Sequence, residues 1–251
     1  MVCPDCNGTG YRIVERDEVE GAIRCSCAAV DRAGHLEADA GIPPLYSAAS
    51  FENFLLPREN PVSYRELTEV FLLVRAYARE FPNTKQPGLL LMGDPGTGKT
   101  HLAVAAFRAI IAKGFEGLFF DYQNLFDRIK SGYDSASNTS DREAYRIAID
   151  KEVLLLDDLG AHRVTDWVED TVTSIITSRC NQRKPLIATT NLIDPEMGYV
   201  TYGRSAEGKV DYRTTLSDRI GSRARSRLFE MCRVIRMPLV EDFRMRKQGV
   251  R

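Results

Sequence analysis

The stretch with the most specific chemistry runs from Gly93 to Thr100 and reads Gly-Asp-Pro-Gly-Thr-Gly-Lys-Thr. It has the G-x-x-x-x-G-K-T spacing of a phosphate-binding P-loop, and it lies between an apolar run, residues 89–92, and a helical pattern, residues 101–112. A glycine-rich turn that matches the spacing by chance is the alternative, but the flanking strand and helix argue against it. The pattern predicts that the chain binds a nucleoside triphosphate.

The residue types in this stretch suit different parts of a triphosphate. Glycines let the backbone fold tightly until successive N–H groups point at phosphate oxygens, and the following helix brings its positive end to the same place. Lys99 is expected to reach the β- and γ-phosphates, and the Thr100 hydroxyl to bind Mg²⁺. The other positions predicted to contact ATP are Gly93, Asp94, Pro95, Gly96, Thr97, Gly98 and His101.

A second chemical motif is the apolar run at 153–156 that ends in Asp157 and Asp158. The end of a parallel strand beside the P-loop is where a carboxylate can hold Mg²⁺ through water, and we assign that role to Asp157. Asp158 is the candidate for polarising the attacking water. An apolar run followed by Asp is common in proteins, and it becomes specific here because it follows a P-loop by about 60 residues.

A third polar strand end is Asn191, which closes the apolar run 186–190. At the same sheet edge as Asp157 its amide could position the attacking water or sense the γ-phosphate. The alternative is an Asn that only caps a turn at a strand end.

Four N-terminal cysteines form the pattern C-x2-C-x18-C-x-C, and they are Cys3, Cys6, Cys25 and Cys27. Four thiolates from two short knuckles suit a closed, tetrahedral and therefore structural Zn²⁺ site. The segments between them, 11–14 and 22–24, predict a hairpin too small to be stable without metal. Four free thiols are the alternative. We expect His35 to be a linker histidine, and Cys180 and Cys232 to be packed side chains.

These residues are carried by elements that fit an α/β core, for which 251 residues suffice. The double proline at 43–44 breaks helix and predicts a boundary between a zinc-binding head with linker, 1–41, and a larger domain, 42–251. The polar stretch 131–141 predicts a mobile loop. Helices are predicted at 64–81, 101–112, 123–130, 168–179 and 216–229, and strands at 89–92, 117–121, 153–157 and 186–191.

Charge and hydropathy restrict the partners. The net charge is −1, but residues 201–251 hold 13 Lys/Arg against 6 Asp/Glu, so contact with an anionic partner is expected to be local. No apolar run approaches the ~20 residues of a membrane span, and the N-terminus has no signal core. We therefore expect a cytoplasmic protein without a membrane partner, where clustered cysteines indicate metal rather than disulfides.

Three arginines, Arg219, Arg223 and Arg227, stand four residues apart in the predicted helix 216–229 and would share one face. They form either a solvated basic stripe or a face from which one arginine reaches the nucleotide of a neighbouring subunit. Their spacing leaves both interpretations open.

Together these motifs resemble the AAA+ ATPases, and more narrowly the DnaC/DnaI-type helicase loaders and the IstB-type transposition helpers. The resemblance covers residues 42–251. It is carried by the P-loop, by 154–160 (Leu-Leu-Leu-Asp-Asp-Leu-Gly), by 188–191 (Ala-Thr-Thr-Asn) and by 217–223 (Ser-Asp-Arg-Ile-Gly-Ser-Arg). It implies a five-stranded parallel sheet flanked by helices in the order 5-1-4-3-2, Mg²⁺-dependent ATP hydrolysis between subunits, and little or no lid domain.

The resemblance also implies roles for two arginines. Arg223 matches the arginine finger that acts in trans, which requires head-to-tail self-association. Arg244 matches a second sensor arginine that contacts the bound nucleotide.

Because the cysteine head resembles that of many loader-like members, the first expectation is loading of a hexameric replicative helicase onto single-stranded DNA. A DNA-binding transposition helper that recruits a transposase is the alternative. A third hypothesis is a P-loop kinase for a small substrate. The matches at Asn191 and Arg223 argue against it.

Overall fold

The computed structural model describes residues 3–7, 9–16, 19–131, 140–161, 165–198, 202–204 and 210–247. Its strands are β1 Tyr11–Arg16, β2 Val19–Arg24, β3 Gly88–Met92, β4 Gly117–Asp121, β5 Val153–Asp157, β6 Leu186–Thr190, β7 Tyr202–Arg204, β8 Val210–Tyr212 and β9 Cys232–Arg236. Its α-helices are α1 Ser26–Asp39, α2 Pro61–Glu80, α3 Lys99–Ile111, α4 Tyr122–Ser131, α5 Ser140–Asp150, α6 Asp166–Asn181, α7 Leu216–Met231 and α8 Phe243–Lys247.

Five strands form one parallel sheet in the order β4-β5-β6-β3-β9. Numbered among themselves along the chain and taken from the β9 edge, these strands run 5-1-4-3-2, so the predicted topology is confirmed. The strands are apolar almost throughout because helices cover both faces of the sheet. Among the residues that the structure describes, no helix is long and apolar enough to cross a membrane.

The two faces of the sheet are buried in separate cores. Leu89 and Leu91 of β3 pack with α2 and α3, whereas Leu90 and Met92 of the same strand pack with α4 to α7. This alternation follows from the two-residue period of side chains along a strand. The result is a three-layer α/β domain whose parallel strands all end at one edge.

The boundaries of two helices depart from the sequence prediction. Helix α5 begins at Ser140, inside the stretch assigned to a loop, and the centre of that stretch, 132–139, lies outside the described residues. In α7 the backbone leaves helical geometry at Gly221, with φ 79° and ψ 153°. The common face predicted for three arginines is therefore wrong for Arg219, because the break separates it from Arg223 and Arg227.

The N-terminal region combines a hairpin with a helix. Strands β1 and β2 pair antiparallel as predicted, in the register Tyr11↔Arg24 to Arg16↔Val19. Helix α1 then leads to the large domain, where the carbonyl of Ala40 accepts a 2.7 Å hydrogen bond from Phe119 of edge strand β4. The boundary placed near residue 41 stays a prediction, because the last turn of α1 is already packed on the sheet.

Candidate active site

The P-loop connects the end of β3 to the start of α3 in a conformation that needs glycine. Gly96 and Gly98 have φ of 76° and 92°, a region that L-residues rarely adopt. A Cβ on Gly98 would also meet the ring of Phe54, and a Cβ on Gly96 would meet the carboxylate of Asp242. The loop therefore packs between the segment of Phe54, which precedes the sheet, and the segment of Asp242, which follows it.

Lys99 lies at the first position of α3, is buried and donates a 2.7 Å hydrogen bond from Nζ to the carbonyl of Asp94. Burial lowers its pKa to about 8, although the neighbouring carboxylates act in the opposite direction. The ammonium group is thus held inside the loop by one backbone oxygen. A bound phosphate would offer it a stronger, charged acceptor at the same place.

The predicted acids lie beside the loop. Asp157 is the last residue of β5 and is buried, and burial raises the pKa of its carboxyl group, while hydrogen bonds from Thr189 and Thr100 act to lower it. Its Oδ1 accepts a 2.6 Å hydrogen bond from the Thr189 hydroxyl. The Asp157 carboxylate and the Thr100 hydroxyl, which lie together at the end of the P-loop, fit a Mg²⁺ site.

Asp158 follows in a left-handed backbone conformation, with φ 54°, that is uncommon for a residue other than glycine. The conformation turns the chain sharply at the end of β5. Its Oδ1 then accepts a 2.8 Å hydrogen bond from Nδ2 of Asn191, at the end of β6. The carboxylate and the amide that were singled out as water-positioning groups are thus in direct contact.

A cavity of about 510 Å³ collects these groups. Its lining includes most of the predicted nucleotide contacts, namely Pro95, Gly96, Gly98, Lys99, Thr100, His101, Asp157, Asp158, Asn191 and Arg244. Gly93 is buried within the loop and Asp94 is exposed on it, whereas Thr97 is buried and lines an adjoining cavity. The sequence motifs, separated by up to about 150 residues, converge on one space at the carboxyl edge of the sheet, as expected for an open α/β sheet.

A second cavity, of about 930 Å³, adjoins the first and shares Gly96, Gly98 and His101 with it. Apolar side chains from the lead-in segment line it, among them Phe54 and Leu56, and Phe243 lies in the walls of both cavities. Sequence reasoning did not assign these residues. The only signal for them was the aromatic repeat at 51–54, whereas nothing in the local sequence marks Phe243.

Arg223 lies outside both cavities. It is exposed on α7 and lines, with Arg227, a polar groove between α6 and α7 that is separate from both cavities. Nearby, Arg225 holds α7 to the segment after β6 through two 2.8 Å hydrogen bonds with Asp194. A role for Arg223 in catalysis within its own subunit has no support in this geometry.

The four cysteines of the head form a second candidate site. Their sulfur atoms all lie within 4.8 Å of one another, with Cys3–Cys25 at 3.8 Å and Cys6–Cys27 at 3.3 Å. Tetrahedral Zn–S bonds of about 2.3 Å place sulfurs about 3.8 Å apart, so the cluster fits zinc. His35 is exposed and bonds the carbonyl of Asp31, outside the cluster.

Comparison with known proteins agrees with this geometry. The IstB-like ATP binding protein family matches residues 74–201, just over half of the chain. The replicative helicase loader DnaC of Escherichia coli is 24% identical over 193 residues, which cover 75% of this chain and 76% of DnaC. The uncharacterized protein YqaM of Bacillus subtilis is 28% identical over 184 residues, covering 69% of this chain but only 56% of YqaM.

A solved structure gives the same result for the fold. The crystal structure of the DnaC helicase loader superposes with a TM-score of 0.60 at 30% identity, over 78% of this chain and 100% of that chain. The chain therefore belongs to the IstB-like ATP-binding protein family, within the AAA+ group that includes the DnaC helicase loaders.

Proposed function

We propose that the chain binds ATP with Mg²⁺ in the paired cavities and hydrolyses it. The observation that carries the proposal is the convergence of Lys99, Thr100, Asp157, Asp158 and Asn191 on one cavity. In this assignment the β- and γ-phosphates take the place of the Asp94 carbonyl on Lys99. Thr100 and, through water, Asp157 would hold Mg²⁺, which would neutralise charge on the phosphates.

The attacking water is assigned to the Asp158–Asn191 pair. Asn191 donates to one oxygen of the carboxylate, which leaves the other oxygen available to accept a proton from water. The larger, apolar cavity beside Phe54 and Phe243 is assigned to the base and ribose. Arg244 lines the phosphate cavity and is assigned to the nucleotide of its own subunit.

Hydrolysis is proposed to be completed by Arg223 of a neighbouring subunit. Its exposure and its distance from the cavities support this, because an arginine that must reach another subunit has to lie on the outer surface. Head-to-tail association would then form a ring or an open spiral. A monomer should be a poor ATPase.

The cellular role proposed is loading of a hexameric replicative helicase onto single-stranded DNA. Similarity to replicative helicase loaders over three quarters of the chain supports it, as does the zinc-compatible head. A transposition helper that binds DNA and recruits a transposase is the second candidate, favoured by the family match at 74–201.

Two variants test the ATPase assignment. Lys99→Ala should abolish measurable nucleotide binding, and an intact ATP affinity would refute the P-loop role. Asp158→Asn should retain ATP affinity and reduce turnover by about 100-fold or more. Unchanged turnover would move the water-activating role to another group. Asp150→Asn, an exposed carboxylate remote from the cavities, is the control.

Native mass spectrometry of the chain with its host's replicative helicase, in the presence of ATP, Mg²⁺ and Zn²⁺, separates the two roles. A defined complex that Cys25→Ser abolishes and Cys180→Ser retains supports the loader. Filaments on duplex DNA without a helicase complex support the transposition helper.

A further inference from the structure

We propose that Thr189 is a positioning residue that sets the orientation of both acids of the active site; this inference rests on the ATPase function proposed above. Thr189 lies in β6, two residues before Asn191, and is completely buried. Its hydroxyl donates to Oδ1 of Asp157 at 2.6 Å and accepts from the backbone N–H of Asp158 at 3.0 Å. One hydroxyl therefore contacts two consecutive residues of the neighbouring strand end.

The donor and the acceptor of each hydrogen bond follow from the groups that make it. A hydroxyl has one proton and two lone pairs, and the N–H of Asp158 can only donate. The proton of Thr189 is therefore directed at Oδ1 of Asp157, which accepts it. Threonine is branched at Cβ and stiff at χ1, so the hydroxyl oxygen is held in one place.

For Asp157 this bond removes rotational freedom. The terminal torsion of an aspartate is otherwise broad and nearly two-fold. With Oδ1 held by Thr189, the carboxylate would offer its other oxygen to the waters of a bound Mg²⁺. Residues that orient a metal-binding group in this way typically change metal affinity or activity by about 10- to 100-fold when they are removed.

For Asp158 the contact secures a strained backbone. Its positive φ turns the carboxylate toward Asn191. Several hydrogen bonds hold that turn, and two of them come from Thr189, because its carbonyl also accepts from Leu159 N at 2.8 Å. Loss of the hydroxyl removes the acceptor of the N–H of the strained residue itself.

The adjacent residue provides a matched control. Thr190 is as buried as Thr189, but its hydroxyl donates to the carbonyl of Leu159 and accepts from Leu192 N. It contacts neither carboxylate by these bonds. Thr189→Val and Thr190→Val therefore remove the same hydroxyl from the same strand, and only the first removes a bond to the acids.

Two measurements on the full-length protein test the inference. In the first, a non-hydrolysable ATP analogue is titrated at graded Mg²⁺. Thr189→Val should raise the half-saturating Mg²⁺ concentration by about 10-fold, while the Mg²⁺-free affinity for the analogue stays within about 2-fold. In the second, turnover should fall by about 10- to 100-fold with the KM for ATP changed by less than about 3-fold. Thr189→Ser should restore both, and Thr190→Val should leave both within about 3-fold.

The outcomes separate this inference from the proposed function. If wild-type protein hydrolyses ATP and Thr189→Val keeps its Mg²⁺ dependence and turnover, the positioning role is overturned and the ATPase stands. Equal losses in Thr189→Val and Thr190→Val would overturn it too, since the effect would then be general to the strand. If wild-type protein binds no ATP, the proposed function itself fails.

Discussion

The carboxyl edge of the sheet and the cysteine head are built on different physical principles. At the carboxyl edge, Asp157, Lys99 and Thr189 are buried and hydrogen-bonded, and two hydrophobic cores support the strands that carry them. In the hairpin of the head, Tyr11, Ile13 and Ile23 are exposed, and neither core includes them. The domain can position charged groups because packing fixes its backbone, whereas we expect the hairpin to depend on a metal ion held by the four cysteines.

The largest effect is expected when one of the four cysteines is replaced. Cys25→Ser should release zinc and unfold the hairpin, because metal binding in small sites supplies about 10 kcal/mol or more of folding free energy. Zinc content should fall from about one ion per chain to near none, and the amides of β1 and β2 should lose hydrogen-exchange protection. Cys180→Ser, outside the cluster, should change neither. A simultaneous loss of ATP binding would show that the two regions are not separable.

The next effect concerns a charge that is buried inside the domain. Arg179 is fully buried and donates to five carbonyl oxygens in α5, in the turn before β5 and in the segment before β6. Arg179→Met should destabilise the domain by about 3–5 kcal/mol in chemical denaturation, because all five of these charge-assisted hydrogen bonds are lost together. Arg146→Met, on an exposed ion pair, should cost less than about 1 kcal/mol. Equal effects would contradict the claim that buried hydrogen bonds hold this layer together.

A pH experiment measures the cost of burying Lys99. Its pKa is lowered to about 8 from 10.5, so between these pH values the unfolded chain binds a proton that the native protein has lost. The stability of the nucleotide-free protein should therefore rise with pH across this window, by up to about 3 kcal/mol relative to Lys99→Met. The cost is fully present below pH 8. Parallel pH profiles for the two proteins would show that Lys99 is not desolvated.

The smallest expected effect lies at the junction of the two regions. Glu37 of α1 accepts a 2.7 Å hydrogen bond from Arg108 of α3, and both side chains are partly exposed. Glu37→Gln should cost the domain less than about 1 kcal/mol, since exposed ion pairs contribute little. Glu69→Gln, in an exposed pair within α2, should cost no more. A loss of several kcal/mol would mean that this ion pair, rather than the apolar contacts at the end of α1, holds α1 on the domain.

The sequence predicted the groups at the strand ends and in the head, but not the residue that supports the acids. It located the P-loop, Asp157, Asp158 and Asn191, because each stands at the end of an apolar strand, and parallel strands bring such ends together. It also located the hairpin and the cysteines. It missed Thr189, although a position two residues before Asn191 on the same strand face was a usable signal.

The sequence by itself determined the parts whose chemistry depends on local spacing: the phosphate loop, the acids at strand ends and the four sulfur atoms. Only the tertiary structure decided which residues support them. The contact of Asp242 with Gly96, the bond from Thr189 to Asp157 and the break of α7 at Gly221 join or separate segments by packing. Local periodicity records which face of an element is apolar. It does not record which distant side chain meets that face, because close packing of the whole core selects the partner.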